Sequence, residues 1–191
     1  MSNPRTAIIV HGICDENEYY RMDSPSPSNA HWLPWLQQKF LRQGILCQAP
    51  EMPRPYAPLY EDWATVFSAI APHGATVCVG HSAGGGFLLK WLQQNPNARF
   101  DKIILVAPWL DPARRLGDFL HCKLESRLQD RVGEIHVFFS SDEKVPGVAV
   151  TKDTILNTFT QARLHPFADK GHFCFSDTGL HFNELWEVCA A

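Results

Sequence analysis

Short apolar runs alternate with amphipathic stretches along the whole chain. The runs at residues 6–10, 45–49, 75–79, 102–107, 135–139 and 163–167 are too short for helices and are bounded by polar or turn-forming residues, so each predicts a strand. Thr6-Ala7-Ile8-Ile9-Val10 and Lys102-Ile103-Ile104-Leu105-Val106-Ala107 are nearly continuous in apolar residues, as expected of strands buried on both faces. Pro166 lies inside the last run and predicts an edge position, because proline has no N–H to give a ladder.

Between the runs the period changes to that of a helix. Trp32, Trp35, Leu36, Phe40 and Leu41 mark one apolar face, with Ser28 or Asn29 as the candidate cap, Pro34 in the first turn and Gly44 closing the helix. Trp32 and Trp35 on that face read as core residues. Trp63, Val66, Phe67 and Ile70 mark a second helix over 59–70. The segment Phe87–Leu92 continues a third, with Pro96 just beyond it. Leu116, Phe119, Leu120, Leu124 and Leu128 sit at helical spacing in the charged connection 113–133. Two more helices are expected at 150–159 and from about Leu180. Strands alternating with helices predict an α/β fold, a doubly wound and mostly parallel six-stranded sheet with helices on both faces. One domain over 1–191 accounts for the length, without repeats and without an insertion large enough for a cap domain.

Two stretches interrupt this rhythm. Residues 15–29 form a polar loop with a Ser-Pro-Ser-Pro-Ser tract at 24–28, placed just after the first strand. Loops at strand ends carry sites in open α/β sheets, so this one is read as a flap over whatever binds near His11. Residues 50–58 carry four prolines and predict an extended connection.

Composition narrows the function classes. Of 191 residues, 19% are charged and the net charge is −3, which gives no footprint for nucleic acid or an anionic membrane. No apolar run is long enough to span a bilayer, and the N-terminus runs straight into a strand without a cleavage site, so a cytoplasmic location is expected. The six cysteines form no C-x-x-C pair and are expected to be free thiols.

The candidate chemistry centres on Val79-Gly80-His81-Ser82-Ala83-Gly84, a G-x-S-x-G pattern between an expected strand and an expected helix. A serine on so sharp a turn needs small neighbours two residues away on each side, and the helix start behind it offers unpaired N–H groups to an oxyanion. A serine nucleophile needs a base, and the base an orienting carboxylate. His172, in the glycine-led loop after the last strand, is the expected base. Asp142, just past the fifth strand, is the favoured acid; Asp111, past the fourth, is the alternative, and Glu143 is expected to point elsewhere. Backbone N–H groups of Ala83 and of Ile13, in the loop after the first strand, are the expected oxyanion hole. His11 reads as a strand-end residue that hydrogen-bonds locally. His165, Asp169 and His172 match no metal-ligand spacing, Gly84-Gly85-Gly86 is no phosphate loop, and no cofactor or metal is expected. Cys14 and Cys174, close to the expected site, read as space-fillers.

These motifs carry a family resemblance. Gly80-His81-Ser82-Ala83-Gly84, His31-Trp32-Leu33-Pro34-Trp35, Met52-Pro53, Ser140-Ser141-Asp142 and Gly171-His172-Phe173 together resemble the small, cap-less α/β-hydrolase-fold serine hydrolases of the retinoblastoma-binding protein 9 family. The resemblance implies Ser82 as nucleophile, Asp142 as acid and His172 as base. The expected activity is hydrolysis of a small-molecule acyl ester through an acyl-enzyme, with a thioesterase, an amidase, or a silent protein-binding module on the same fold as the alternatives. Residues 14–28 and the proline-rich segment after Met52 depart from the family pattern at the mouth of the site.

Overall fold

The computed structural model describes residues 6–70 and 76–191. Residues 1–5, His73, and the expected first residue of the third strand, Ala75, lie outside the described residues.

The six expected strands form one sheet: β1 (Thr6–Val10), β2 (Leu46–Gln48), β3 (Thr76–His81), β4 (Phe100–Val106), β5 (Val132–Ser140) and β6 (Arg163–Phe167). They lie in the order β2-β1-β3-β4-β5-β6, and every neighbouring pair is parallel. The sheet is therefore all-parallel, where the sequence predicted mostly parallel. The residues of β3 are buried throughout, as are Ile8 to Val10 and Ile103 to Val106, which matches their unbroken apolar runs. β6 sits at an edge with Pro166 opposite Phe139, as its proline predicted.

Helices α2 (Leu33–Arg42), α3 (Tyr60–Ile70), α4 (Ala83–Gln94) and α5 (Val148–Thr158) fall where the period changed, and α6 (Phe175–Thr178) and α7 (Asn183–Ala190) end the chain. In α2 Leu33, Leu36 and Phe40 face the core. Trp32, at its start, is fully buried and Trp35 half-buried, in line with the core reading. Aromatic rings from α3 and α4 interlock edge to face: Phe67 lies 5.6 Å from Phe87 and 4.8 Å from Trp91, centroid to centroid.

Two expectations are corrected. The connection 113–133 forms no α-helix, only turns and a 3₁₀ segment at Ser126–Arg131. Arg114 and Gly117 adopt left-handed backbone (φ 54° and 59°), and the Asp111 carboxylate takes the N–H groups of Arg115 and Leu116, so local turns replace the helical ladder. Phe119, Leu120 and Leu128 are buried all the same, so their spacing recorded burial and not helix. The polar stretch 15–29 is also more ordered than a plain loop. It contains α1 (Glu16–Tyr20), capped by Asp15 through a 2.7 Å bond from the N–H of Glu18, and a 3₁₀ turn at Pro27–Asn29.

The chain order sets the site. β1 leads outward to β2 on one side, and the later strands extend on the other, so the order reverses between β1 and β3. At such a switch point the loops leaving adjacent strands part and open a crevice at the carboxyl edge. The loop after β1 begins at His11 and the turn after β3 carries Ser82.

Candidate active site

Ser82 joins β3 to α4 with φ 52° and ψ −121°, a conformation that costs a non-glycine residue about 1–3 kcal/mol. Its surroundings hold it there. The Ser82 N–H donates to Val106 O on β4 at 2.9 Å, and Ser82 O accepts from the N–H of Trp109 at 3.0 Å. The neighbouring glycines are required by close approach. A Cβ on Gly80 would sit 2.6 Å from the Cα of Gly85, and one on Gly84 would run into the backbone oxygens of Val10 and His11. The turn can form only if the helix start packs against bare backbone on both sides.

His172 lies in the turn between β6 and α6, and its ring reaches back to the serine. Nε2 is 2.9 Å from Ser82 Oγ, and Nδ1 is 2.7 Å from Glu143 Oε2. A carboxylate only accepts, so Nδ1 carries the proton and Nε2 is the acceptor for the Ser82 hydroxyl. This is the tautomer a general base requires.

The carboxylate is the point where the sequence reading and the structure differ. Asp142 does not meet His172. Its side chain is exposed and folds back on its own strand end, where Oδ1 accepts from Ser140 Oγ at 2.5 Å and from the N–H of Gly171 at 2.9 Å. The Ser140 hydroxyl bond, followed by that of Gly171, holds the Asp142 carboxyl below its usual range. The next residue turns inward: the Glu143 side chain is 2% exposed, and its longer stem carries the carboxylate across to Nδ1. Asp142 thus braces the loop that bears His172, while Glu143 touches the ring. Asp111 is far from this role, buried as the cap of its own turn through Arg115 and Leu116.

The loop after β1 passes close to the serine. A Cβ on Gly12 would come 3.1 Å from the Ser82 Cβ and 3.7 Å from its Oγ. His11 is buried, with Nδ1 donating to Gly12 O at 2.6 Å and Nε2 accepting from the N–H of Met52 at 2.8 Å. Burial lowers its pKa, which favours this neutral form. The bond fixes the plane of the Gly12–Ile13 peptide, whose N–H points opposite to its C=O. Ala83 occupies the first turn of α4, where backbone N–H groups lack partners within the helix.

Several contributors had no clear signal in the sequence. His81 donates from Nε2 to His172 O at 2.8 Å, the only polarity open to a bond with a carbonyl. Trp32 donates from Nε1 to Phe173 O at 2.9 Å, and His31 Nδ1 accepts from the N–H of Phe175 at 3.0 Å. Asp177 takes the N–H groups of His172 and Cys174. The His172 turn is therefore clamped from four sides. The signal was present only as the His31-Trp32 motif, whose partners lie some 140 positions later in the chain.

A pocket of about 140 Å³ opens onto Ser82. Glu18 and Tyr19 of α1, with Pro25 and Pro27, form part of its wall, so the segment after β1 does line the site as the flap reading expected. Tyr20 of the same helix bonds the hydroxyl of Tyr56 in the proline-rich connection at 3.0 Å, joining the two stretches that depart from the family pattern. Cys14 and Cys174 also line the pocket, and all six cysteines are free. Among the described residues no cluster of His, Cys, Asp or Glu has the arrangement of a metal site, and no helix is long and apolar enough to cross a membrane. His165 pairs with His136 at 2.9 Å and stacks on Phe138.

An all-parallel sheet with a serine elbow after its third strand and a histidine after its last is the α/β-hydrolase fold. The pattern of the family described as serine hydrolase matches residues 23–178, and the chain belongs to that family. It is 28% identical over 176 residues to YdeN of Bacillus subtilis (strain 168), covering 86% of this chain and 84% of that protein. The crystal structure of the B. subtilis ydeN gene product superposes with a TM-score of 0.78 at 22% identity, covering 98% of this chain and 97% of that one. A chain from the structural work on the metagenome-derived lipolytic enzymes LipS and LipT shares the fold with a TM-score of 0.70 at 15% identity, over 100% of this chain and 93% of that one. An esterase from Exiguobacterium antarcticum does so with a TM-score of 0.61 at 13% identity, over 99% and 91%.

Proposed function

We propose that this protein hydrolyses short acyl esters through an acyl-enzyme on Ser82, with His172 as base, Glu143 in place of Asp142 as the orienting acid, and the N–H groups of Ala83 and Ile13 as the oxyanion hole. The hydrogen-bonded chain Ser82–His172–Glu143 carries this reading.

Ser82 Oγ attacks the ester carbonyl carbon as its proton passes to His172 Nε2. The imidazolium so formed is stabilised by the buried Glu143 carboxylate, and the carbonyl oxygen, now an oxyanion, is held by the two backbone donors. Collapse of the tetrahedral intermediate breaks the bond to the alcohol, which leaves with the proton from Nε2. Water then repeats the sequence: His172 takes its proton, the hydroxide adds to the acyl carbon, and Ser82 recovers its hydrogen as the acid departs. His11 supports the hole by holding the Gly12–Ile13 peptide plane.

The pocket supports a small-molecule substrate with a short acyl chain. A cavity of about 140 Å³ beside Ser82 is of the size for a small acyl group.

The test is a fluorophosphonate probe with a p-nitrophenyl ester panel, using Ser82→Ala as the blank. Labelling that is lost in the variant, and kcat/KM that peaks at short acyl chains, is the expected outcome. A folded wild type that neither labels nor turns over any ester would overturn the reading. A steady rise in kcat/KM through long chains would overturn the short-chain assignment.

A further inference from the structure

Four histidines, His11, His31, His81 and His172, line the pocket around Ser82. A neutral imidazole carries one proton, so each ring has one N–H to give. Three are committed within the protein. His11 gives its Nδ1–H to Gly12 O, His81 gives its Nε2–H to His172 O, and His172 gives its Nδ1–H to Glu143.

His31 is different. Its Nδ1 accepts from the N–H of Phe175, which puts the proton on Nε2, and Nε2 has no protein partner among the described residues. The ring is held edge to face against His81 at 5.6 Å between centroids. Burial, and then the charge of His172, lower the pKa of His31 and favour the neutral ring. Of the four histidines that line the pocket, His31 alone keeps a tautomer-fixed N–H without a protein partner among the described residues.

We propose that His31 donates a hydrogen bond from Nε2 to an acceptor oxygen of the substrate that lies outside the scissile ester group. This rests on the hydrolase reading above and adds a substrate class to it: short esters bearing an ether, hydroxyl or carbonyl oxygen in place of a methylene. A site built to donate to such an oxygen discriminates against the alkyl isostere, because the donor is then left unpaired.

Two isosteric pairs test it. p-Nitrophenyl methoxyacetate against p-nitrophenyl butyrate places the oxygen on the acyl side, and 2-methoxyethyl butyrate against butyl butyrate places it on the alcohol side. Each kcat/KM is divided by the hydroxide-catalysed rate of the same ester, which removes intrinsic reactivity. The normalised preference for the oxygen-bearing ester is expected to reach about five-fold in one pair. His31→Asn is the informative variant. Asparagine tolerates the left-handed backbone at this position (φ 56°) and can offer its amide oxygen to Phe175, but it has no counterpart of Nε2. The preference should fall to about one in this variant. A displaced His172 would slow both members of a pair alike and leave their ratio intact, so the ratio separates substrate binding from a structural effect. A wild-type ratio near one in both pairs, or a preference that survives His31→Asn, overturns the proposal while leaving ester hydrolysis standing. A wild type that hydrolyses none of the four esters overturns both.

Discussion

Glu143 meets His172 through Oε2 at 2.7 Å from Nδ1, inside a side-chain environment only 2% exposed, while its second oxygen accepts from the N–H of Val145 at 2.7 Å. The carboxylate is thereby fixed at both oxygens, and the ring it orients has little freedom to turn. Asp142, one residue earlier, faces solvent and spends its carboxylate on Ser140 and Gly171.

Substitution should separate the two acids. Glu143→Gln is expected to lower kcat by on the order of 10³–10⁴, since it removes the charge that stabilises the imidazolium and favours the wrong tautomer. Asp142→Asn should cost less than about ten-fold, through a looser Gly171 turn. Steady-state kinetics on p-nitrophenyl butyrate decide between them; the reverse order of effects would return the acid role to Asp142.

Acid should destabilise the fold earlier than its carboxylates alone would require. His81 is pushed well below its ordinary pKa, and His11, His31, His136 and His165 are also lowered, with burial the first cause in each. Below the unfolded value of about 6.5 the unfolded chain binds protons that these rings refuse in the fold, so stability rises with pH there and is lost as pH falls. Urea midpoints at pH 7.5, 6.5 and 5.5 are expected to decline, with a slope between the last two that corresponds to uptake of more than one proton on unfolding. A flat profile down to pH 5.5 would contradict the burial argument.

The elbow glycines should respond to alanine by position. Gly84→Ala sets a methyl against the backbone oxygens of Val10 and His11, which cannot retreat without moving β1, and should cost more than about 2 kcal/mol. Gly44→Ala meets nothing within 4 Å and bears only the cost of its left-handed φ of 72°, about 1 kcal/mol. Thermal denaturation of the two variants side by side measures the difference, and comparable losses would show that the close approach at Gly84 is not the constraint.

Cys14 and Cys174 line the pocket, yet burial pushes each thiol up to about 11. At neutral pH almost no thiolate is present to alkylate. Iodoacetamide at pH 7.5 should therefore leave the proposed ester hydrolysis nearly intact over an hour, whereas fluorophosphonate is expected to abolish it. Rapid inactivation by iodoacetamide, with modification mapped to either cysteine, would mean that the thiols are less shielded than their burial implies.

The sequence by itself determined the strand set, the alternation with helices, the edge position of β6 and the serine elbow, because the residue types within each short stretch announce it. Pro166 cannot pair from an inner strand, and Gly80 and Gly84 have no purpose in a plain strand or helix. Ser82 and His172 were legible because both sit at strand ends that one carboxyl edge must bring together. The tertiary structure alone decided which carboxylate reaches His172. Asp142 and Glu143 are adjacent, and the choice turns on which one the chain rotates inward after β5, a matter of packing against a turn 29 residues away. It also decided what became of residues 113–133, where apolar spacing promised a helix. Asp111 satisfied the backbone locally, and the same leucines reached the core from turns. The roles of His31, Trp32 and His81 depend on contacts with the His172 turn some 90 to 140 positions away, so the His31-Trp32 motif marks the place without naming the partners.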